Sequence, residues 1–220
     1  MRFYTFGDFM RSCPSRREPL KDPNAQYKSY WAEGYPVSAQ YVDEGRPVCP
    51  VCGRKIGSLR WAEPRKFRIA GTRYPDRLHD WMVGDFVVSE RFRQKYEEEH
   101  LTGVSGFLDM EVVRLTKRQL ASPPPKYYIV DVPYSECVQL DMKKSIITGS
   151  PEKSACTHCW PIQNSQDHVE KIVLDAENWD GTDIFRVYAL GIVMSQRMHD
   201  IIENNNLTNF DLVSIDDYWY

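Results

Sequence analysis

The sequence predicts an α+β fold made of two repeated strand-helix-strand halves with mixed or antiparallel sheets, and three observations carry that expectation. A Cys-x-x-Cys pair occurs in each half: Cys49-Pro50-Val51-Cys52 followed by Gly53, and Cys156-Thr157-His158-Cys159 followed by Trp160. Residues 86–102 also lie over residues 192–208, with Val87/Val193, Ser89/Ser195, Arg91/Arg197, Glu97/Glu203, Leu101/Leu207 and Thr102/Thr208 identical. Phe86/Ile192, Val88/Met194, Phe92/Met198 and Tyr96/Ile202 match in apolar character. Unrelated segments of that length share about one identity at ordinary residue frequencies, so duplication explains the match better than two chance helix starts. Finally, strand-like runs outnumber helical ones and alternate with them irregularly, which argues against a doubly wound sheet.

The elements follow in chain order. Residues 2–6, rich in aromatic side chains, read as a strand and as the counterpart of the one at 127–132. Residues 11–48 are polar, rich in Pro, Gly, Tyr and charge, and without a sustained period, which predicts a surface excursion rather than regular structure. Residues 86–88 form a short strand, and Ser89 is placed to cap a helix running to about residue 99, its hydroxyl accepting from a first-turn amide. Phe92 and Tyr96 share one face of that helix, as Met198 and Ile202 do after Ser195. Strand character resumes over 104–115 and 210–215. Ala121-Ser122-Pro123-Pro124-Pro125 forbids helix and reads as a stiff connector. It divides the chain into a first repeat (1–120), a connector (121–125) and a second repeat (126–220) that opens with a strand at 127–132. The serines read as caps rather than nucleophiles.

At 42% hydrophobic and 13% aromatic residues the chain carries far more apolar side chain than a disordered protein. No apolar run approaches the ~20 residues needed to span a bilayer, and the start has no apolar signal-peptide core, so a cytoplasmic location is expected. Charge is uneven: residues 1–120 hold 21 Lys and Arg against 16 Asp and Glu, and residues 121–220 hold 7 against 15. Two faces with different partners would produce that split, as would drift in a solvated surface.

Six cysteines are too few for a disulfide scaffold of this size, and C-x-x-C spacing in a reducing compartment points to metal or redox use. Cys13 and Cys137 read as ordinary free thiols. Cys49, Cys52, Cys156 and Cys159 together supply the complement of a structural zinc ion, a site that forms only if the halves bring their knuckles together. His158 is an alternative donor. Metal-free thiols in tight turns and redox chemistry are the competing readings.

No G-x-G-x-x-G, phosphate loop, H-E-x-x-H or G-x-S-x-G occurs, and histidines 79, 100, 158, 168 and 199 have no recognisable catalytic spacing, so no enzyme is expected. The basic first half offers an alternative function, a zinc-stabilised nucleic-acid-binding accessory protein, although a pI near 6.0 disfavours nucleic acid as a partner.

Several of these segments, taken in order, resemble a known family. They are Met1-Arg2-Phe3-Tyr4, Cys49 to Gly53, Asp85-Phe86-Val87-Val88-Ser89-Glu90-Arg91-Phe92 with Leu101-Thr102-Gly103, the pair Cys156/Cys159, and Asp183-Ile184-Phe185-Arg186 leading to residues 193–197 and Leu207-Thr208. This pattern resembles the double-CXXCG proteins of myxobacterial type, immunity partners of swarm-inhibition toxins, and the broader group of immunity-like proteins. Tyr127 to Val132 with Val138 to Asp141 resembles a mid-chain strand of that broader group. Trp160 stands where the second motif has glycine. The resemblance implies a non-enzymatic inhibitor that binds a cognate protein toxin in the cytoplasm. Because many such toxins carry basic clefts, the acidic chain end, with Asp211, Asp216, Asp217, Tyr218 and Trp219, is the expected contact surface.

Overall fold

The structure, a computed structural model, describes residues 1–6, 33–37, 41–43, 45–56, 60–70, 74–80, 86–115, 123–148, 156, 158–159, 168–188 and 190–217. The strands are β1 (Phe3–Phe6), β2 (Glu33–Pro36), β3 (Tyr41–Val42), β4 (Arg60–Trp61), β5 (Lys66–Ala70), β6 (Arg77–Asp80), β7 (Phe86–Ser89), β8 (Gly106–Leu115), β9 (Tyr127–Asp131), β10 (Gln139–Leu140), β11 (Ile146–Thr148), β12 (His168–Lys171), β13 (Leu174–Asp175), β14 (Ile184–Val187), β15 (Gly191–Ser195) and β16 (Leu212–Ser214). The helices are α1 (Glu90–Glu98) and α2 (Gln196–Asn204). The protein is thus sheet-rich α+β.

Two larger sheets organise it. One closes as a barrel in the order β2-β5-β8-β9-β7-β6, and the other is a four-stranded sheet in the order β14-β15-β1-β16. Pairing is mostly antiparallel, with β2·β6 and β5·β8 parallel. Strand β1 pairs with β15, Phe3 opposite Ser195, and β9 pairs with β7, Tyr127 opposite Ser89. Each helix-preceding strand therefore pairs with the strand that opens the other part of the chain.

Period-two alternation explains why β7, β9 and β15 are apolar on both faces. Phe86 and Val88 of β7, Tyr128 and Val130 of β9, and Ile192 and Met194 of β15 point into one core that also takes Phe92, Tyr96, Met198 and Ile202 from the helices. The intervening Val87, Tyr127 and Ile129 fill the barrel interior with Phe67, Ile69 and Leu78. Val193 turns the opposite way, to Phe3, Phe185 and Ile215. The two helices thus lie in a shared layer, where each large side chain removed from water contributes roughly 1.5–3 kcal/mol.

Both helices begin as expected. Ser89 Oγ accepts from the Phe92 amide and Ser195 Oγ from the Met198 amide, each at 3.2 Å. Both end alike, His100 and Asn206 each with φ 50°, while the amides of Leu101 and Leu207 donate to Tyr96 and Ile202 carbonyls at 3.0 Å. This is the closure that satisfies last-turn carbonyls.

Two buried aspartates join the two helix segments. Asp183 accepts from Ser195 Oγ at 3.0 Å, from Arg197 Nη1 at 3.0 Å, and from the amide and hydroxyl of Thr102 at 3.0 and 3.2 Å. Asp76 accepts from Ser89 Oγ and Arg91 Nη1, both at 2.8 Å, and from the amide and hydroxyl of Thr208 at 2.8 and 3.1 Å. Each carboxylate thus holds the cap of one helix and the threonine that follows the other. Arg197 and Arg91 complete the exchange by donating to the Glu99 and Asn205 carbonyls.

Gly103 lies beside this contact with φ +106°, and a Cβ there would sit 1.8 Å from the Ile184 carbonyl oxygen. Gly103→Ala is expected to cost at least about 2 kcal/mol in urea unfolding, through a disfavoured backbone and a collision with main chain.

One expectation needs correction: within residues 11–48, 33–36 and 41–42 are strands, and β2 closes the barrel. Glu33-Gly34-Tyr35-Pro36 has turn-like composition, yet main-chain bonds to β5 and β6 do not depend on side chains.

Candidate metal centre

The first knuckle is a closed turn. The Cys49 amide donates to the Arg54 carbonyl at 2.8 Å, and the Gly53 amide donates back to the Cys49 carbonyl at 3.0 Å. Gly53 adopts φ +71°, the left-handed conformation that glycine reaches without strain. The Val48–Lys55 bridge and the Ile56-to-Pro47 bond at 2.9 Å fasten its base. In the second pair Cys156, His158 and Cys159 are placed, while Thr157 and Trp160 fall outside the described residues.

The fold brings the pairs together across the chain. Cys49 Sγ lies 3.9 Å from Cys156 Sγ, and Cys52 Sγ 3.6 Å from Cys159 Sγ. All four sulfurs fall within 4.8 Å of one another. A tetrahedral ion with metal–sulfur bonds near 2.3 Å needs sulfurs about 3.8 Å apart, so the residues fit a metal ion and leave no open coordination position. Cys49 and Cys159 are buried, Cys156 is half-buried and Cys52 is exposed. His158, the alternative donor, lies with its ring 4.8 Å from that of Tyr188.

The thiols sit in unlike electrostatic settings. Amides of Cys159 and His158 donate to Cys156 and lower its thiol to about 7. Burial opposes ionisation of Cys49, but the amides of Cys52 and Val51 together with the Cys159 and Cys52 thiols outweigh it and the thiol is lowered. Burial pushes the Cys159 thiol up, reinforced by its three cysteine neighbours. Amides aimed at sulfur are what a thiolate ligand set requires, and a cation would release the proton that burial holds on Cys159.

Cys49, Ile56 and Cys159 form a small core against which Tyr134, Cys156 and Tyr188 pack. Tyr134 and Tyr188 stack at 4.5 Å and 11°. The sequence reading missed this pair because the tyrosines lie in separate segments joined only by the fold. Asp76 and Asp183 were legible in principle: each precedes a cap serine by almost the same interval.

Of the expected partner surface, Asp216 and Asp217 are exposed on the 3-10 turn Ile215–Asp217, while Asp211 is half-buried. Tyr218 and Trp219 lie outside the described residues, as does Cys13; Cys137 is an exposed free thiol. Phe210 packs on the shared core, stacked at 5.4 Å on Phe92, and β16 is an edge strand.

Fold and site together define a sheet-rich α+β protein with a four-cysteine cluster fit for a metal ion. The chain belongs to the immunity protein family Imm11, whose family model matches residues 10–217. No curated protein matches it. No helix among the described residues is long and apolar enough to cross a membrane.

Proposed function

We propose that this protein neutralises a cognate bacterial toxin in the cytoplasm by binding it, without catalysis of its own. The carrying observation is the immunity-family match over residues 10–217. The serine hydroxyls that could have suggested nucleophiles are occupied as helix caps and aspartate ligands, which agrees with a binding role.

The four cysteines hold one structural zinc ion in this reading, since an all-thiolate tetrahedral set suits zinc and leaves no site for a reacting water. The chain is a duplication, residues 1–120 and 126–220 joined by 121–125, whose copies have exchanged their opening strands. The strand order β14-β15-β1-β16 corresponds to β6-β7-β9-β8 within the barrel, and the matched aspartate clusters support the same reading.

Asp211, Asp216 and Asp217, with Tyr218 and Trp219, are the contact surface for a basic toxin. The test is co-expression with a candidate toxin encoded next to this gene. Growth rescue and co-purification of a stoichiometric complex are expected, and toxicity undiminished by excess inhibitor would sink the proposal. Asp216→Lys with Asp217→Lys should slow association severalfold at low salt and little at high salt. Equal rates at both would remove this face from the interface.

A further inference from the structure

We propose that a groove between the barrel mouth and the cysteine knuckles binds an extended acidic segment of a protein partner. It rests on the reading of the chain as a protein-binding inhibitor, and adds a second surface and the chemistry it recognises.

The groove has a volume of about 1110 Å³, just above the roughly 300–1,000 Å³ that small-molecule sites occupy. Trp61, Leu108 and Ile129 of its lining also belong to the interior cluster of the barrel. The opposite lip comes from the knuckles, with Val48 and Pro50 flanking Cys49 and His158 beside Cys159. Val42 and Val48 on this lining are 40% and 54% exposed. Apolar side chains left in water along a concave wall mark an interaction site.

An unpaired guanidinium indicates what the groove lacks. Arg186 is half-buried, and its Nε donates to the Val132 carbonyl at 3.1 Å, while its terminal nitrogens make no hydrogen bond among the described residues. Trp61, 7% exposed, forms part of the wall with its indole Nε1 buried within it, so its ring reports on what occupies the groove. A half-buried guanidinium whose terminal nitrogens lack acceptors is matched best by a carboxylate. Arg60 and Arg65 on the same lining are already engaged, by Asp131 at 3.2 Å and Glu63 at 2.9 Å, which leaves the Arg186 guanidinium for a ligand. With Asp131 and Glu136 also on the lining, its net positive charge is too small to hold the continuous phosphates of a nucleic acid, whereas a single carboxylate is matched by Arg186. A peptide carboxylate flanked by apolar side chains satisfies the Arg186 guanidinium and the valine lip.

The test follows the Trp61 indole ¹⁵N–H resonance of the full-length protein, assigned with Trp61→Phe. The probes are a blocked hexapeptide of alternating Asp and Val, its Lys-Val counterpart, and a thymidine hexanucleotide. Saturable movement with the acidic peptide alone is expected. Arg186→Gln and, separately, Val48→Asp should each weaken it about tenfold, the share of one charge-assisted or well-packed contact. A resonance unmoved by the acidic peptide at millimolar concentration, moved equally by the Lys-Val peptide, or moved only by the oligonucleotide would overturn the proposal. Titrating the cognate toxin separates the two readings. Peptide binding without toxin binding keeps the groove and removes the toxin, whereas toxin binding with an unresponsive groove does the reverse.

Discussion

Stripping the proposed metal from the four cysteines with a strong chelator is expected to lower the thermal midpoint by roughly 10–20 °C and to expose four thiols together. The size follows from what the site closes. Cys49 and Cys156 are 107 residues apart, and a cross-link over a loop of about 100 residues removes chain entropy worth roughly 4–5 kcal/mol from the unfolded state. For a chain of this length each kcal/mol moves the midpoint by about 2–4 °C. Cys49→Ser and Cys159→Ser should show the same fall, because both sulfurs are buried and neither replacement offers a thiolate. Metal analysis with calorimetry decides the matter: a metal-free protein whose midpoint ignores the chelator would remove the site.

The same centre sets a pH dependence. Cys156 is lowered from its ordinary 9.0 to about 7, so its contribution is complete above 9.0 and is lost as the pH falls through about 7. Cys159 works in the opposite sense in the metal-free chain, since burial favours its neutral form and its contribution is lost as the pH rises. A bound cation makes both thiolates, so protons compete with it at every ligand, and metal retention should drop as the pH falls below about 7.

Replacing Asp183 by alanine is expected to cost about 2–4 kcal/mol, and Asp76→Ala a similar amount. Asp183 is 2% exposed on its side chain while Arg197 is 53% exposed, so solvent screens the ion pair. Most of the loss comes from the Ser195 hydroxyl and the amide and hydroxyl of Thr102, left without their acceptor where water reaches poorly. Asparagine keeps one acceptor and should recover about half. Urea denaturation reads this directly, and an Asp183→Ala loss below about 1 kcal/mol would mean that the aspartate clusters do not hold the helices together.

Local chemistry made much of the protein legible. Ser89 and Ser195 cap because a hydroxyl before an apolar helix start has an unpaired amide within reach, and Phe92/Tyr96 and Met198/Ile202 turn inward because four residues return a helix to the same face. The C-x-x-C spacing named all four members of the thiol cluster, since two intervening residues let both sulfurs face one point. What the sequence left open depends on contacts between distant segments. Closure of the barrel by β2 depends on main-chain bonds that no side-chain pattern encodes. The stacking of Tyr134 on Tyr188 and the unpaired guanidinium of Arg186 arise only where separate segments meet.

By itself the sequence determined the helices, their caps, the apolar stripes and the four thiols, because each is fixed by residues within one or two turns of one another. Only the tertiary structure decided that β1 pairs with β15 and β9 with β7, that each aspartate clasps the threonine of the other helix, and that the two knuckles meet. Those outcomes depend on which buried surfaces and unpaired polar groups from opposite ends of the chain satisfy one another, a choice made in space rather than along the sequence.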